Sequence, residues 1–171
     1  MRCEGYMLVT KDIDKAKRFY IDVLGAAVTL ELEKHVVFAE GFSLLHESDW
    51  RVFAGLETGE CRYGHHCGQL VFEVDDIDAF LENIAAVPSL RLLHPAREHP
   101  WGRVAVRFYD PDGHVIEVGE SMKVVVTRFL AKGLSVEETA QRSEFPVEYV
   151  RRCKQELESR NGTEKSGEPA V

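Results

Sequence analysis

Residues 107–120 read RFYDPDGHVIEVGE, and this stretch decides the fold. Its centre, DPDG, has the composition of a tight turn, and an apolar strand is predicted over residues 114–119. Glu117 lies in the middle of that strand, where a buried and unpaired carboxylate would cost several kcal/mol. The pattern therefore indicates that Glu117 meets a ligand, a metal ion or a partner charge.

The sequence also repeats itself once, with a fainter copy, EGFSLLHES, at residues 40–48. The first copy begins with a strand at Tyr6–Thr10, KDID and a helix, and the second begins with a strand at 70–74, DDID and a helix. Three strand-like segments follow each helix, so each half is predicted to be β-α-β-β-β. These segments are Val28–Leu32, 35–39 and Phe42–His46 in the first half, and 90–93, 103–108 and 114–119 in the second.

The repeat defines a domain at residues 1–120, with modules at 1–50 and 67–120 joined by a connector at 51–66. Three helical runs follow in an appendage at 121–158, and the last two are spaced as a helix-turn-helix hairpin. Ser135 and Glu138 form a predicted capping box at the start of the second run. Residues 159–171 are polar and are predicted to be disordered.

Charge and composition exclude several classes of protein. The net charge is −8, and residues 1–120 alone carry 12 basic and 21 acidic side chains, which does not suit a nucleic-acid binder. No run of apolar residues is long enough for a membrane span. The first residues do not have the composition of a signal peptide, so a cytoplasmic location with reduced cysteines is expected.

Strand alternation and the repeat together predict a site. Side chains alternate across a strand, and the repeat makes Leu45 equivalent to Glu117 and Gly5 equivalent to Gln69. A twofold-like arrangement of the two halves would bring these four residues into one cavity. A slip of one residue in the register would reverse this prediction.

The repeated unit, the segment VTKDIDKAKRFYIDVLG and the motif DPDGHVIEV resemble the vicinal oxygen chelate superfamily. That superfamily includes glyoxalase I, the bleomycin-resistance proteins and the extradiol dioxygenases. The resemblance covers residues 4–120 and implies an α+β fold, with two modules forming a curved mixed sheet around a cleft. It also implies one divalent metal held by His, Gln or Glu at four positions. Gln69 and Glu117 fit that pattern, whereas Gly5 and Leu45 have no coordinating side chain.

Other candidate residues surround the predicted cleft. Trp101, Arg97 and Arg103 belong to a segment that borders the cleft mouth in the resembling family. Trp101 is expected either to stack on a planar ligand or to cover the edge of the sheet, and an arginine to hold an anion. Arg107 is expected to pair with a nearby carboxylate, Asp110 or Asp112.

The connector also offers candidate residues. One segment contains Cys61, His65, His66 and Cys67, and its spacing predicts exposed histidines rather than a metal site. No pattern typical of a Cys-His nucleophile stands out in the sequence.

The leading hypothesis is a small-molecule binding protein of glyoxalase/bleomycin-resistance type that needs no cofactor. Gln69, Glu117 and Leu45 would then line its ligand site. One alternative is a metal-dependent lyase, isomerase or dioxygenase, in which Gln69 and Glu117 hold a divalent ion and Glu117 is ligand or general base. Another is a ligand-responsive regulator, whose Arg151, Arg152 and Lys154 would meet DNA phosphate. A homodimer is expected because open sheet edges favour pairing, whereas nucleic acid and membrane partners are not expected.

Overall fold

The structure, a computed structural model, describes residue 1 and residues 5–165, with side chains up to residue 159. These residues form eight strands and six helices. The strands are β1 (Tyr6–Thr10), β2 (Val28–Leu32), β3 (His35–Phe38), β4 (Phe42–His46), β5 (Gln69–Val74), β6 (Leu92–Glu98), β7 (Val104–Tyr109) and β8 (Val115–Glu120). The helices are α1 (Ile13–Leu24), α2 (Glu47–Ala54), α3 (Ile77–Ala85), α4 (Met122–Ala131), α5 (Val136–Ser143) and α6 (Val147–Lys165).

The first sheet has the strand order β1-β4-β3-β2, with β1 parallel to β4 and the other neighbours antiparallel. Helix α1 begins after Asp12, whose carboxylate accepts a hydrogen bond from the backbone N–H of Lys15, and ends at Gly25 in the left-handed conformation. The fully buried Tyr20 of this helix packs against the rings of Phe38 and Phe42. The apolar face of α1 therefore covers the first sheet.

The second sheet has the strand order β5-β8-β7-β6. Strands β7 and β8 form a hairpin around the DPDG turn, where the backbone N–H of Asp110 donates to the carbonyl of His114 at 3.0 Å. Every residue of β8 is buried, because β8 lies between two neighbouring strands and its Ile116 and Val118 are fully covered. Glu117 is thus held on an interior strand.

The chain divides into two compact units. The first consists of Met1–Val71, Leu81–Pro95 and Arg107–Glu117, and the second of Phe72–Phe80, Ala96–Val106 and Val118–Val171.

Within the second unit, helices α4, α5 and α6 pack around Val126, Ala140, Val150 and Cys153. A second cluster in this unit joins Met122, Val125 and Phe129 of α4 to Trp101.

The predicted α+β fold with two modules is confirmed, including the capping box at Ser135 and Glu138. Helix α2 was not predicted, because its N-cap is His46 and histidine is not a usual capping residue. The ring of His46 accepts a hydrogen bond from the backbone N–H of Ser48. Strand β6 lies at Leu92–Glu98 rather than at 90–93. Its Pro95 is tolerated because β6 is an edge strand.

Helix α6 extends to Lys165. The predicted disorder of residues 159–171 stays a prediction. Residues 166–171 lie outside the described residues. Within the described part of the chain, no helix is both long and apolar enough to cross a membrane.

Candidate functional site

Four polar side chains form a line across the second sheet, one from each strand. They are Gln69 on β5, Glu117 on β8, Arg107 on β7 and His94 on β6, and this is also the order of the strands in the sheet. All four belong to the first compact unit. We call these four residues the cross-sheet row.

Glu117 is the buried centre of the row. Its side chain is 5% exposed, and one carboxylate oxygen accepts hydrogen bonds from Arg107 Nη2 and from Gln69 Nε2, the latter at 2.9 Å. Arg107 Nε donates in turn to Gln69 Oε1 at 2.9 Å. Arginine, glutamine and glutamate therefore form a closed ring of hydrogen bonds, in which the guanidinium neutralises the carboxylate.

His94 extends the row on the other side of Arg107. Arg107 Nη1 lies 3.2 Å from His94 Nε2, and His94 Nδ1 lies 2.8 Å from the carbonyl oxygen of Pro95. A guanidinium can only donate, so we assign the proton of the neutral imidazole to Nδ1, and Nε2 accepts. In this tautomer, both neighbours of the ring are satisfied.

The prediction that Arg107 pairs with Asp110 or Asp112 is wrong, because Arg107 pairs with Glu117. Asp110 instead accepts from the Tyr20 hydroxyl at 2.9 Å and pairs with the His114 ring at 2.7 Å, and Asp112 accepts from the Thr10 hydroxyl. The pairing of Arg107 with Glu117 could have been deduced from the register of the predicted hairpin. Counting three residues along each strand from the Asp110–His114 bond places Arg107 directly opposite Glu117, on the same face.

An open depression of about 390 Å³ lies beside the row, and we call it the Arg107 depression. Its wall includes the side chains of His66, Cys67, Gln69, Leu93, Arg107 and Val115. Among the described residues that line it, none is Asp or Glu.

A second cavity of about 180 Å³ shares Cys67, Gln69 and Val115 with the Arg107 depression. In its wall, Cys67 Sγ lies 2.8 Å from His65 Nδ1, a Cys-His contact that the sequence did not indicate. Tyr63 also lines this cavity, and burial and the bond that its hydroxyl donates to Glu47 raise its pKa. The two concavities therefore adjoin each other on the first unit.

The other predicted ligand residues are not among those that line the Arg107 depression. Leu45 is buried on β4, where it pairs in register with Val9 and His35. Trp101 stacks on the ring of His99, with centroids 4.5 Å apart and planes 2° apart. It also packs against the α4 cluster of the second unit.

The two remaining arginines belong to the second unit. Arg97 is exposed on β6. Arg103 Nε donates to the carbonyl oxygen of Glu120 at 2.8 Å, and its guanidinium fills the space that a Cβ on Gly119 would need.

The residues present do not fit the metal of the resembling superfamily. Gly5 has φ +124°, and a Cβ placed on it would lie 2.4 Å from the Gly41 carbonyl oxygen, so no ligating side chain fits there. Leu45 has no donor atom, and the Glu117 carboxylate already pairs with Arg107. Among the described residues, no group of three or more His, Cys, Asp or Glu is placed to hold a metal ion.

The basic residues of α6 have acidic or aromatic neighbours. Arg151 pairs with Glu148 at 2.5 Å and with Glu137 at 3.8 Å, and Lys154 lies 4.0 Å from Glu158. The guanidinium of Arg152 lies over the ring of Tyr149. The free thiols are Cys61, Cys67 and Cys153, and Cys3 lies outside the described residues.

Comparison with known proteins places these observations in a family. Residues 3–123 match the sequence profile of the glyoxalase-like domain. A protein of unknown function from Agrobacterium tumefaciens str. C58 is 36% identical, with a TM-score of 0.65, and the alignment covers 71% of this chain and 94% of that one. No curated protein sequence matched this chain.

Two further solved structures are similar. A lactoylglutathione lyase from Agrobacterium tumefaciens is 26% identical with a TM-score of 0.53, over 69% of this chain and 92% of that one. A glyoxalase-related enzyme from Fulvimarina pelagi is 22% identical with a TM-score of 0.57, over 69% and 87%, and shows the fold alone. The chain therefore belongs to the glyoxalase-like domain family of the vicinal oxygen chelate superfamily.

Proposed function

We propose that this protein binds a small molecule at the Arg107 depression without a divalent metal. The observation that carries the proposal is the ring of hydrogen bonds joining Arg107, Glu117 and Gln69. Glu117 and Gln69 occupy two of the four positions that hold the metal in the resembling superfamily. In this chain, the positive charge beside them comes from a guanidinium.

The depression has the chemical character of a ligand site. Leu93 and Val115 give it apolar surface, and Arg107, Gln69, His66 and Cys67 add a few polar atoms. Small-molecule sites combine mostly apolar surface with a few well-placed polar groups. Its volume of about 390 Å³ lies within the range of about 300–1,000 Å³ found for ligand pockets.

The donor set supports binding rather than metal-dependent catalysis. A catalytic metal needs several protein ligands with deprotonated or neutral donor atoms facing the ion. Here Gly5 and Leu45 supply none, and a divalent ion would have to displace a charged arginine from Glu117. The metal-dependent lyase, isomerase or dioxygenase is therefore not the function that we propose, and the homodimer stays a prediction.

Calorimetric titration against a panel of metabolites and antibiotics, with and without EDTA, tests the proposal. We expect at least one compound to bind with the same Kd in both conditions. The variant Leu93→Trp fills the depression and should abolish binding. Leu30→Trp is the matched control, because Leu30 is an exposed leucine on β2, away from the depression. Failure of the whole panel, or binding that EDTA removes, would contradict the proposal.

A further inference from the structure

We propose that the ligand of the Arg107 depression is an organic anion, a carboxylate on an apolar body, which binds end-on to the Arg107 guanidinium. This inference rests on the proposed function and adds the chemical class of the ligand. It depends on three features of the cross-sheet row: the donors that Arg107 still offers, the charges that face the depression, and the burial of Glu117.

Arg107 retains hydrogen-bonding capacity. A guanidinium has five N–H bonds in one plane. The contacts with Gln69, His94 and Glu117 use one N–H each from Nε, Nη1 and Nη2. Two N–H bonds, one on each terminal nitrogen, therefore have no acceptor among the contacts described for this residue. A pair of terminal N–H bonds is the arrangement that a carboxylate bridges with both oxygens.

The charges that face the depression favour an anion. Arg107 lines it, and no Asp or Glu is among the described residues of its wall. Arg91 adds a second positive charge nearby, since its guanidinium lies 4.1 Å from the centre of the Tyr109 ring, whose hydroxyl contacts His66 of the wall. The chain as a whole has a net charge of −8, so a wall without carboxylates repels an anion less than the rest of the surface does.

Burial separates the two members of the ion pair. The Glu117 side chain is 5% exposed, and the Arg107 side chain is 18% exposed. Glu117 does not line the depression, whereas Arg107 does. A ligand therefore meets the guanidinium first, and the carboxylate behind it fixes the orientation of the guanidinium. A positioned, partly desolvated arginine binds a carboxylate more strongly than a flexible surface arginine does.

The apolar walls define the rest of the ligand. Leu93, an apolar residue of the wall, is 37% exposed, and Val115 adds a second apolar residue to the wall. Apolar side chains exposed beside a polar anchor favour a ligand with a hydrocarbon or aromatic body. Phenylacetate has both parts, and phenylacetamide and phenethylamine keep its aromatic ring while replacing the carboxylate with a neutral or a cationic group.

Titration of the full-length protein with these three probes, followed by ¹H–¹⁵N NMR, tests the inference. We expect phenylacetate to shift the Arg107 Nε–H signal with a Kd of roughly millimolar order, as its size allows. Phenylacetamide should bind at least about tenfold more weakly, because it cannot make the charge-assisted pair, and phenethylamine should not bind.

Two variants complete the test. The double variant Arg107→Gln/Glu117→Gln removes both charges, so it leaves no uncompensated buried carboxylate, and it should lose phenylacetate binding. Arg18→Gln, at an exposed arginine of α1 in the same unit, should keep it. If phenylacetamide binds as tightly as phenylacetate, or if none of the three probes shifts the Arg107 signal, the anion inference is wrong. A metabolite or antibiotic hit would then still support the proposed function, whereas an unsuccessful panel would remove both.

Discussion

Replacing Arg107 with methionine should destabilise the protein much more than replacing Glu117 with glutamine. Both substitutions remove the same ion pair, but they leave different groups behind. Arg107→Met leaves a carboxylate whose side chain is 5% exposed, with the amide of Gln69 as a remaining donor. Glu117→Gln leaves a guanidinium that is 18% exposed and still hydrogen-bonded to Gln69 and His94.

The expected magnitudes follow from the desolvation of the group left behind. A buried charge that loses a partner costs about 3–5 kcal/mol, and we place Arg107→Met at the lower end, about 3 kcal/mol, because Glu117 keeps its other contacts, including the bond from Gln69. We expect Glu117→Gln to cost about 1 kcal/mol, the value of one hydrogen bond. The double variant Arg107→Met/Glu117→Gln should be more stable than Arg107→Met alone by about 1–2 kcal/mol, because no buried charge remains.

Urea unfolding at neutral pH measures these differences. With an m-value of about 2 kcal/mol/M, a loss of about 3 kcal/mol lowers the midpoint by about 1.5 M. Arg97→Met is the matched control, and its free energy of unfolding should change by no more than about 0.5 kcal/mol. The reasoning is refuted if Arg107→Met costs no more than this control, or if adding Glu117→Gln destabilises the Arg107→Met variant further.

Three further predictions concern other parts of the chain. Gly102→Ala should lower Tm by more than Gly133→Ala does. Both glycines have φ +88°, but a Cβ on Gly102 would lie 2.3 Å from a ring carbon of Phe129, whereas a Cβ on Gly133 would have nothing within 4 Å. Equal Tm values for the two variants in thermal unfolding would contradict this prediction. Burial, and to a smaller extent the Asp110 carboxylate, raises the pKa of Tyr20. The hydroxyl therefore loses its proton more readily in the unfolded chain, and the free energy of unfolding falls as pH rises above about 10. Between about pH 9 and pH 11, the urea midpoint should fall more for the wild type than for Tyr20→Phe. Iodoacetamide should modify the exposed Cys67 and weaken phenylacetate binding, because this residue lines the Arg107 depression. The control variant Cys67→Ser should retain binding after the same treatment. Unchanged binding by the alkylated wild type would contradict the prediction.

The fold could be predicted from the sequence wherever a local signal coincided with the repeat. The DPDG turn, the N-cap at Asp12 and the C-cap at Gly25 each have a physical cause that can be recognised in single residues. Helix α2 has no such signal, because its N-cap is His46. Strand β6 contains Pro95, which indicates a loop until its place at the edge of the sheet is known.

The candidate site could be predicted only in part. Gln69 and Glu117 emerged from the register of the repeat, and the structure joins them by a hydrogen bond. Arg107 was assigned to the nearest carboxylates in sequence, although an antiparallel hairpin brings it to a residue ten positions away. His94 lies beyond the strand predicted at residues 90–93, so its contact with Arg107 could not be expected. Pairing across strands depends on register, which residue types alone do not determine.

The central claim is that Arg107 provides the cation beside Glu117. The most direct measurement is elemental analysis of protein purified without chelator, followed by calorimetric titration with Mn²⁺, Ni²⁺, Zn²⁺ and Fe²⁺. We predict no stoichiometric metal in the purified protein and no saturable binding of any of the four ions. One equivalent of metal that is lost in both Glu117→Ala and Gln69→Ala would contradict the account.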